Sequence, residues 1–302
     1  MTAAAGVGTR EQVPRPRTGL PAWLRRTFQL APPLVWIALL VLVPNVFLLL
    51  YSFWTNSFGV VTPEFTTSNY ATLFGSEVFW VLLRRTMVVA LVSAGLATMI
   101  AYGAAYLIVQ RFGRYKLLAA LLILIPLWVS YLMRVFAWKI ILGENGFLSA
   151  ALTALGFGPG TTSLFLYSQT SVIITLTYVA IPYAFLSTYT ALERVPTHLL
   201  EAAADCGAGT WTRFRTVILP LTRPGAAVGF AIAFVLVFGD YVTPAMVGGL
   251  DGTMLGTLVL QQFGPGSDWA GGAAVGITII ATGLLLLAVI SLFTRLEARL
   301  DQ

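Results

Sequence analysis

Two charged residues stand inside long apolar stretches, Arg134 in the run 117–142 and Asp240 in the run 225–247. An ionised side chain at the bilayer centre costs at least about 2.5–3.5 kcal/mol on insertion scales, so each needs a partner or a watery path. Two chemistries fit. Asp240, with Tyr241 beside it, can draw a cation along a translocation path, or Asp240 and Arg134 can neutralise one another as a buried pair that fixes how two helices pack. On unbroken helices at 1.5 Å per residue, Asp240 would lie roughly 22 Å and Arg134 roughly 26 Å along their runs, at similar depth. Six aromatics in neighbouring runs, Tyr102, Tyr106, Trp128, Tyr131, Tyr178 and Tyr183, either pack ordinarily or face a cation through their π clouds.

Bond-making chemistry finds little material. His198 is the one histidine and Cys206 the one cysteine. A proton relay, a metal site or a disulfide would each need a partner that the sequence does not place nearby. A phosphate-cradling Gly-x-x-x-x-Gly-Lys-Ser/Thr loop is also missing, so ATP hydrolysis would have to belong to another protein. A polytopic enzyme needs a cluster of nucleophile, histidine or metal ligands at one depth, and no such set occurs.

The elements that must position these residues are membrane helices. The chain is 58% hydrophobic and only 10% charged, with mean hydropathy +0.84, whereas a soluble domain carries roughly a quarter charged residues. Windows near 30–53, 86–109, 117–142, 169–191, 225–247 and 270–293 each approach the ~20 residues a span needs. The expected fold is therefore all-α, with six transmembrane helices: residues 1–29 form a disordered cytoplasmic tail and 30–302 one transmembrane domain. Pro44, Pro126 and Pro182 should kink their helices. Gly271, Gly272, Ala273, Ala274 and Gly276 should form a packing seam.

Basic residues give the orientation. Placing the N terminus in the cytoplasm puts Arg10, Arg15, Arg17, Arg25, Arg26, Arg111, Arg114, Lys116, Arg194, Arg213, Arg215, Arg223, Arg295 and Arg299 inside, fourteen of the 18 Lys and Arg. That matches the excess of positive charge in short cytoplasmic loops, with both termini inside. Arg84, Arg85, Arg134 and Lys139 are the exceptions. The net charge of +6 follows this topology rather than one basic face, so nucleic acid is not an expected partner. On the far side, 54–85 is the longest loop, and Gly143, Gly146, Gly156, Gly158, Pro159 and Gly160 favour turns across 143–168.

The segment 193–225 does more than reverse the chain. Pro196 suits the start of a short helix, Thr197 to Cys206, that Gly207 and Gly209 should end. Trp211, Phe214 and Val217 then recur at three-residue spacing with Arg213 and Arg215 between them, and Pro220 and Pro224 should break that stretch before the fifth span. A rigid, partly apolar helix pair of this kind either docks a soluble partner in a groove or merely anchors a loop.

Within this segment, Glu201, Ala202, Ala203, Asp205, Gly207, Ala208, Trp211, Phe214, Val217, Leu219, Pro220, Leu221, Pro224 and Gly225 resemble the EAA loop of binding-protein-dependent ABC importer permeases. The resemblance implies a type I permease core over about 84–292. It also implies a coupling helix that fits a groove on the ATPase subunit, with Glu201 contacting that partner and Ala202, Ala203 and Gly207 permitting close approach. Ala208, Phe214, Leu219 and Pro220 complete the matched loop. Two further blocks, Gly239-Asp240-Tyr241-Val242-Thr243-Pro244 with Gly248-Gly249, and Arg134-Val135-Phe136-Ala137-Trp138 leading to Leu142-Gly143-Glu144-Asn145-Gly146, are similar to those of spermidine/putrescine-type permeases.

The resemblance spans about residues 80–292. It implies a permease subunit of the inner cell membrane, working with ATPase subunits, a second permease and an extracytoplasmic solute-binding protein. No cofactor is then expected on this chain, because ATP and magnesium would sit on the partner ATPase. Iron, thiamine, opine and phosphonate permeases share the EAA loop, so those solutes stand beside polyamines as alternatives. A secondary transporter driven by an ion gradient is the competing class. It would call for more intramembrane carboxylates than Asp240 or for broken helices in matching halves.

Overall fold

The computed structural model describes residues 22–57, 59–156 and 166–300, and side chains over 30–57, 59–156 and 166–292. Contacts divide the chain into two units, Met1–Phe47 and Leu48–Gln302. The first consists of most of helix α1, Ala22–Ser52. Helix therefore begins inside the stretch expected to be a disordered tail, eight residues before the apolar run, directly after Pro21. The rest of that tail, with Arg10, Arg15 and Arg17, lies outside the described residues. Pro44 is carried within α1, and the Asn45 side-chain amide donates to the Val41 carbonyl at 2.7 Å, a backbone position close to the proline.

The second unit opens with an antiparallel hairpin, β1 (Thr55–Ser57) and β2 (Val60–Thr62), in which Asn56 faces Val61. Helix α2 (Ser68–Gly75) leads into α3, Glu77–Arg111. The expected loop 54–85 is thus shorter than its sequence suggested. Glu77 lies in the first turn of α3, where a carboxylate complements the positive end of the helix dipole, so helix starts there rather than at residue 86.

The core is made by α3, α7 (Gln169–Glu193) and α10 (Leu219–Phe238), which pack on one another. Small residues permit this. Ala90, Ala94, Ala97, Ala101 and Ala105 form a fully buried stripe along α3, the three- to four-residue spacing that keeps one helix face on its neighbours. On α10, a Cβ added to Gly225 would collide with the Cβ of Ala191, and one added to Gly229 would come within 2.9 Å of the Ala184 carbonyl. The Ser187 hydroxyl of α7 donates to the Gly225 carbonyl at 2.8 Å. Pro182 is buried inside an uninterrupted α7.

Two expected spans prove discontinuous. The run 117–142 is α4 (Lys116–Leu124), a 3₁₀ turn over Ile125–Trp128, two extended residues and α5 (Tyr131–Leu142). Pro126 contributes more than a kink here, because its missing N–H coincides with a full change of helix type. Beyond α5, Gly143 and Gly146 form the expected turn, but a short helix α6 (Phe147–Ala154) follows; Gly158, Pro159 and Gly160 lie outside the described residues. The run 225–247 likewise ends at Phe238. A non-helical link through Asp240 then meets a π turn over Pro244–Gly248. The break at 125–130 removes the depth arithmetic for Arg134, whereas Asp240 lies two residues beyond unbroken helix and keeps its counted rise.

Helix α11 (Leu255–Phe263) and α12 (Trp269–Leu300) complete the chain. The small residues at the start of α12 do form a seam: Ala270, Ala273 and Ala274 are fully buried, and a Cβ on Gly272 would meet Phe263 of α11 at 3.1 Å. Among the described residues six helical segments are long and apolar enough to cross a bilayer, with Tyr131–Ala154 rather than 117–142 as the third. The protein is a multi-pass membrane protein.

Candidate functional site

Two regions carry the residues singled out by sequence. The first is the loop 193–225. It begins where α7 ends, and its leading helix α8 (Thr197–Asp205) starts after Pro196 as expected. Gly207 closes it at φ +82°, with its N–H on the Ala204 carbonyl at 2.8 Å and the Ala208 N–H on that of Ala203 at 3.0 Å. These two bonds are the Schellman arrangement, which a residue with a Cβ adopts only with strain. Glu201, Ala202 and Gly207 are exposed, as are His198 and Cys206, while Ala203 and Ala208 are half-buried. The helix thus offers a capped, solvent-facing surface with small residues beside one carboxylate.

The return stem departs from expectation. After Gly209 come α9 (Thr210–Arg213) and a π turn over Phe214–Ile218 that runs without a gap into α10. Pro220 and Pro224 do not break it. Both prolines lie in continuous helix, Pro220 directly after the π turn and Pro224 inside α10, and the wider π turn gives the Pro220 ring room where a regular α turn would crowd it. Phe214 anchors this stem: its ring stacks on Trp211 at 5.5 Å and meets Tyr106 and Tyr102 of α3 edge-on at 5.3 and 6.2 Å. The Tyr102 and Thr222 hydroxyls are hydrogen-bonded at 2.7 Å, so α3 is tied to the stem twice. Leu219 is half-buried and Pro220 exposed. At the other stem, Lys116 of α4 and Glu193 of α7 form an ion pair at 2.6 Å.

The second region is where the two broken spans face each other. Asp240 is buried and turned to its own backbone, accepting the Thr243 N–H on Oδ2 at 3.1 Å and the Val242 N–H on Oδ1 at 3.3 Å. It caps the turn that follows, as a carboxylate does at a helix start. Arg134, only 6% exposed, sits in the first turn of α5 with its Nε and Nη1 unpartnered among protein atoms. A positive charge there opposes the helix dipole, so both placement and burial are costly.

The two charges are not in ion-pair contact, which corrects the expectation of a direct buried pair. Tyr131 stands between them in a chain of contacts. Its ring centroid lies 5.5 Å from the Arg134 guanidinium carbon, and its hydroxyl is hydrogen-bonded to that of Thr243 at 2.8 Å. Tyr241 is half exposed beside them. In the sequence Tyr131 is one of several aromatics and Thr243 carries no signal of its own, since their meeting depends on both helix breaks. Of the other aromatics, Tyr102 and Tyr106 serve the loop stem, Tyr178 packs against Trp138 at 5.5 Å and Trp128 is exposed.

Comparison with known proteins places these features in context. The family of binding-protein-dependent transport system inner membrane components matches residues 22–302. The spermidine/putrescine transport system permease protein PotB of Haemophilus influenzae is 30% identical over 258 residues, 84% of this chain and 88% of that protein. PotB of Escherichia coli K12 is 31% identical over 83% of this chain and 92% of its own length. The E. coli inner membrane ABC transporter permease protein YdcU is 33% identical over 77% of this chain and 78% of its own. Among solved structures, a chain of a bacterial ABC transporter that imports the acidic polysaccharide alginate superposes with a TM-score of 0.69 at 16% identity, covering 90% of this chain and 96% of that one. A chain of the inward-facing MetNI methionine transporter superposes at 0.54 and 21% identity, covering 75% and 99%. At those identities the likeness is one of fold, the ABC importer permease fold.

Proposed function

The chain belongs to the family of binding-protein-dependent transport system inner membrane components, and from that premise we propose that it is the permease subunit of an ATP-driven importer moving spermidine or putrescine into the cytoplasm. The observation that carries the importer reading is α8: an exposed, Schellman-capped helix whose two stems continue into core helices. Such a surface suits a groove on a soluble ATPase subunit, with Glu201 as its charged contact and Ala202, Ala203, Gly207 and Ala208 allowing close approach. Phe214, Leu219 and Pro220 join that helix to the core. Likeness to PotB over more than four-fifths of the chain supports the polyamine class.

In this reading both termini and the loop 193–225 face the cytoplasm. A second permease completes the pathway, and an extracytoplasmic binding protein delivers the solute. ATP and magnesium are held by the ATPase subunits, so this chain needs no cofactor. Asp240 and Tyr241 lie on the pathway, where a carboxylate already held by two N–H groups attracts an ammonium without giving up its cap. Arg134 marks the pathway's other wall.

Uptake of radiolabelled spermidine and putrescine by cells carrying the complete transport system tests this. Glu201→Lys should lower ATP-dependent uptake at least about tenfold, the effect of reversing one interfacial charge, with the protein still in the membrane. Full uptake in that variant would remove Glu201 from coupling, and uptake of thiamine or ferric iron in place of polyamines would replace the substrate class.

A further inference from the structure

A groove of about 380 Å³ lies between α3 and the return stem of the loop 193–225. Tyr102, Gly103 and Tyr106 form its α3 side, and Thr210, Trp211 and Phe214 its stem side. The Tyr102 hydroxyl is already spent on Thr222, and what faces the groove is almost wholly apolar. Trp211 stays 71% exposed over this space although its ring stacks on Phe214. A Cβ on Gly103 would meet no atom within 4 Å, so the missing side chain leaves room that no neighbour in the fold takes up.

The walls select the occupant. A peptide segment would bring N–H and C=O groups that find no partner there, at a cost for each one buried, whereas an acyl chain brings none. Gly103 also shares a side of α3 with Leu96, Met99 and Ile100, all exposed, at helical spacing. They carry an open apolar surface from the groove toward the middle of the span, the path a lipid tail follows.

Cations stand where a headgroup would lie. Arg111, exposed in the last turn of α3, falls just beyond the apolar run 86–109 and eight residues past Gly103 on the same side of the helix. At 1.5 Å per residue that is about 12 Å further along the axis. Arg213 precedes Phe214 on the stem, and its Nε is buried without a protein partner. A phosphodiester carries one negative charge and accepts hydrogen bonds from guanidinium N–H groups, so it matches both arginines.

We infer that the groove holds an acyl chain of an anionic phospholipid whose phosphate is bound by Arg111 and Arg213, in the leaflet on the side of the loop 193–225. The lipid then fills the joint between the stem and α3. The assembled permease–ATPase complex in nanodiscs tests this with phospholipids brominated on their acyl chains, which quench an indole they touch. Subtracting the fluorescence of Trp211→Phe from that of wild type isolates this indole among the chain's eight tryptophans. Brominated phosphatidylglycerol should half-quench Trp211 at a mole fraction at least about tenfold below that of brominated phosphatidylcholine, the preference two cations confer. Gly103→Leu fills open space and should remove that preference. Arg111→Gln combined with Arg213→Gln should remove it too, with the groove left open. Equal quenching of the wild type by the two lipids would overturn the site, and so would a preference that survives Gly103→Leu. A Trp211 that neither lipid quenches would give the groove to a protein neighbour instead. Solute plays no part in this readout, so its outcome is independent of the polyamine reading.

Discussion

The loop 193–225 and the site around Asp240 are built on opposite plans. In the loop, neighbours in sequence do the work: Pro196 starts α8, Gly207 ends it ten residues after Thr197, and Phe214 follows seven residues later. Around Asp240 the participants come from α5 and from the link after α10, more than a hundred residues apart, and they meet because both spans are interrupted. The loop's leading helix closes on its own backbone at Gly207, although the Arg213 Nε farther along is buried without a protein partner. In the site the Arg134 guanidinium lacks protein partners at both Nε and Nη1. A local motif can be stable alone, whereas a buried charge left unpaired marks a place whose arrangement is held by the rest of the fold.

Substitutions can break that contrast at several points. The largest effect is expected where the loop's stems join the core. Gly225→Leu forces a side chain into Ala191 and should cost about 3 kcal/mol or more, read as loss of the permease from the membrane fraction. Asp240→Ala removes the acceptor of two N–H groups and should cost about 1–2 kcal/mol in thermal unfolding of the purified complex. Asp240→Asn keeps an acceptor, so it should unfold close to wild type while uptake falls; equal uptake would return Asp240 to a purely capping role.

Arg134→Met is the sharpest comparison. Removing an unpartnered buried charge should leave stability unchanged or raise it by about 1 kcal/mol, while uptake declines. A strong loss of stability would mean that Arg134 is paired in the native membrane and that the two regions differ less than the contacts indicate. Lys116→Ala should have the smallest effect, with uptake within about twofold of wild type, because the pair with Glu193 is exposed and screened.

What could be read from sequence follows the same division. Five of the six spans, the helix 197–205 and its glycine stop are legible because each depends on residues within a few positions of one another; the third, Tyr131–Ala154 rather than 117–142, is displaced. The helix breaks are not legible. Pro126 announces a kink, yet whether the chain resumes at once or only at Tyr131 depends on what Tyr131 and Arg134 meet after folding. Pro220 and Pro224 suggest a break that does not occur, since the π turn ahead of Pro220 has no sequence signature of its own and Pro224 is carried inside α10. Arg85, an exception to the charge rule, also gained its reason only in three dimensions: it holds the Leu250 carbonyl and the Thr253 hydroxyl from α3.

The close contact of Gly225 and Gly229 with α7 has a mechanical meaning. The loop leaves the core at the end of α7 and re-enters it at α10, and those two helices are pressed together with Ser187 bonded across them. Both feet of the loop therefore stand on one block. A load applied to α8 cannot pry its feet apart; it is delivered as a turning moment on the α7–α10 pair. Any motion of the exposed helix would be carried along the 25 residues of α7 to its far end, where the Ser171 hydroxyl donates to the Val247 carbonyl at 2.6 Å.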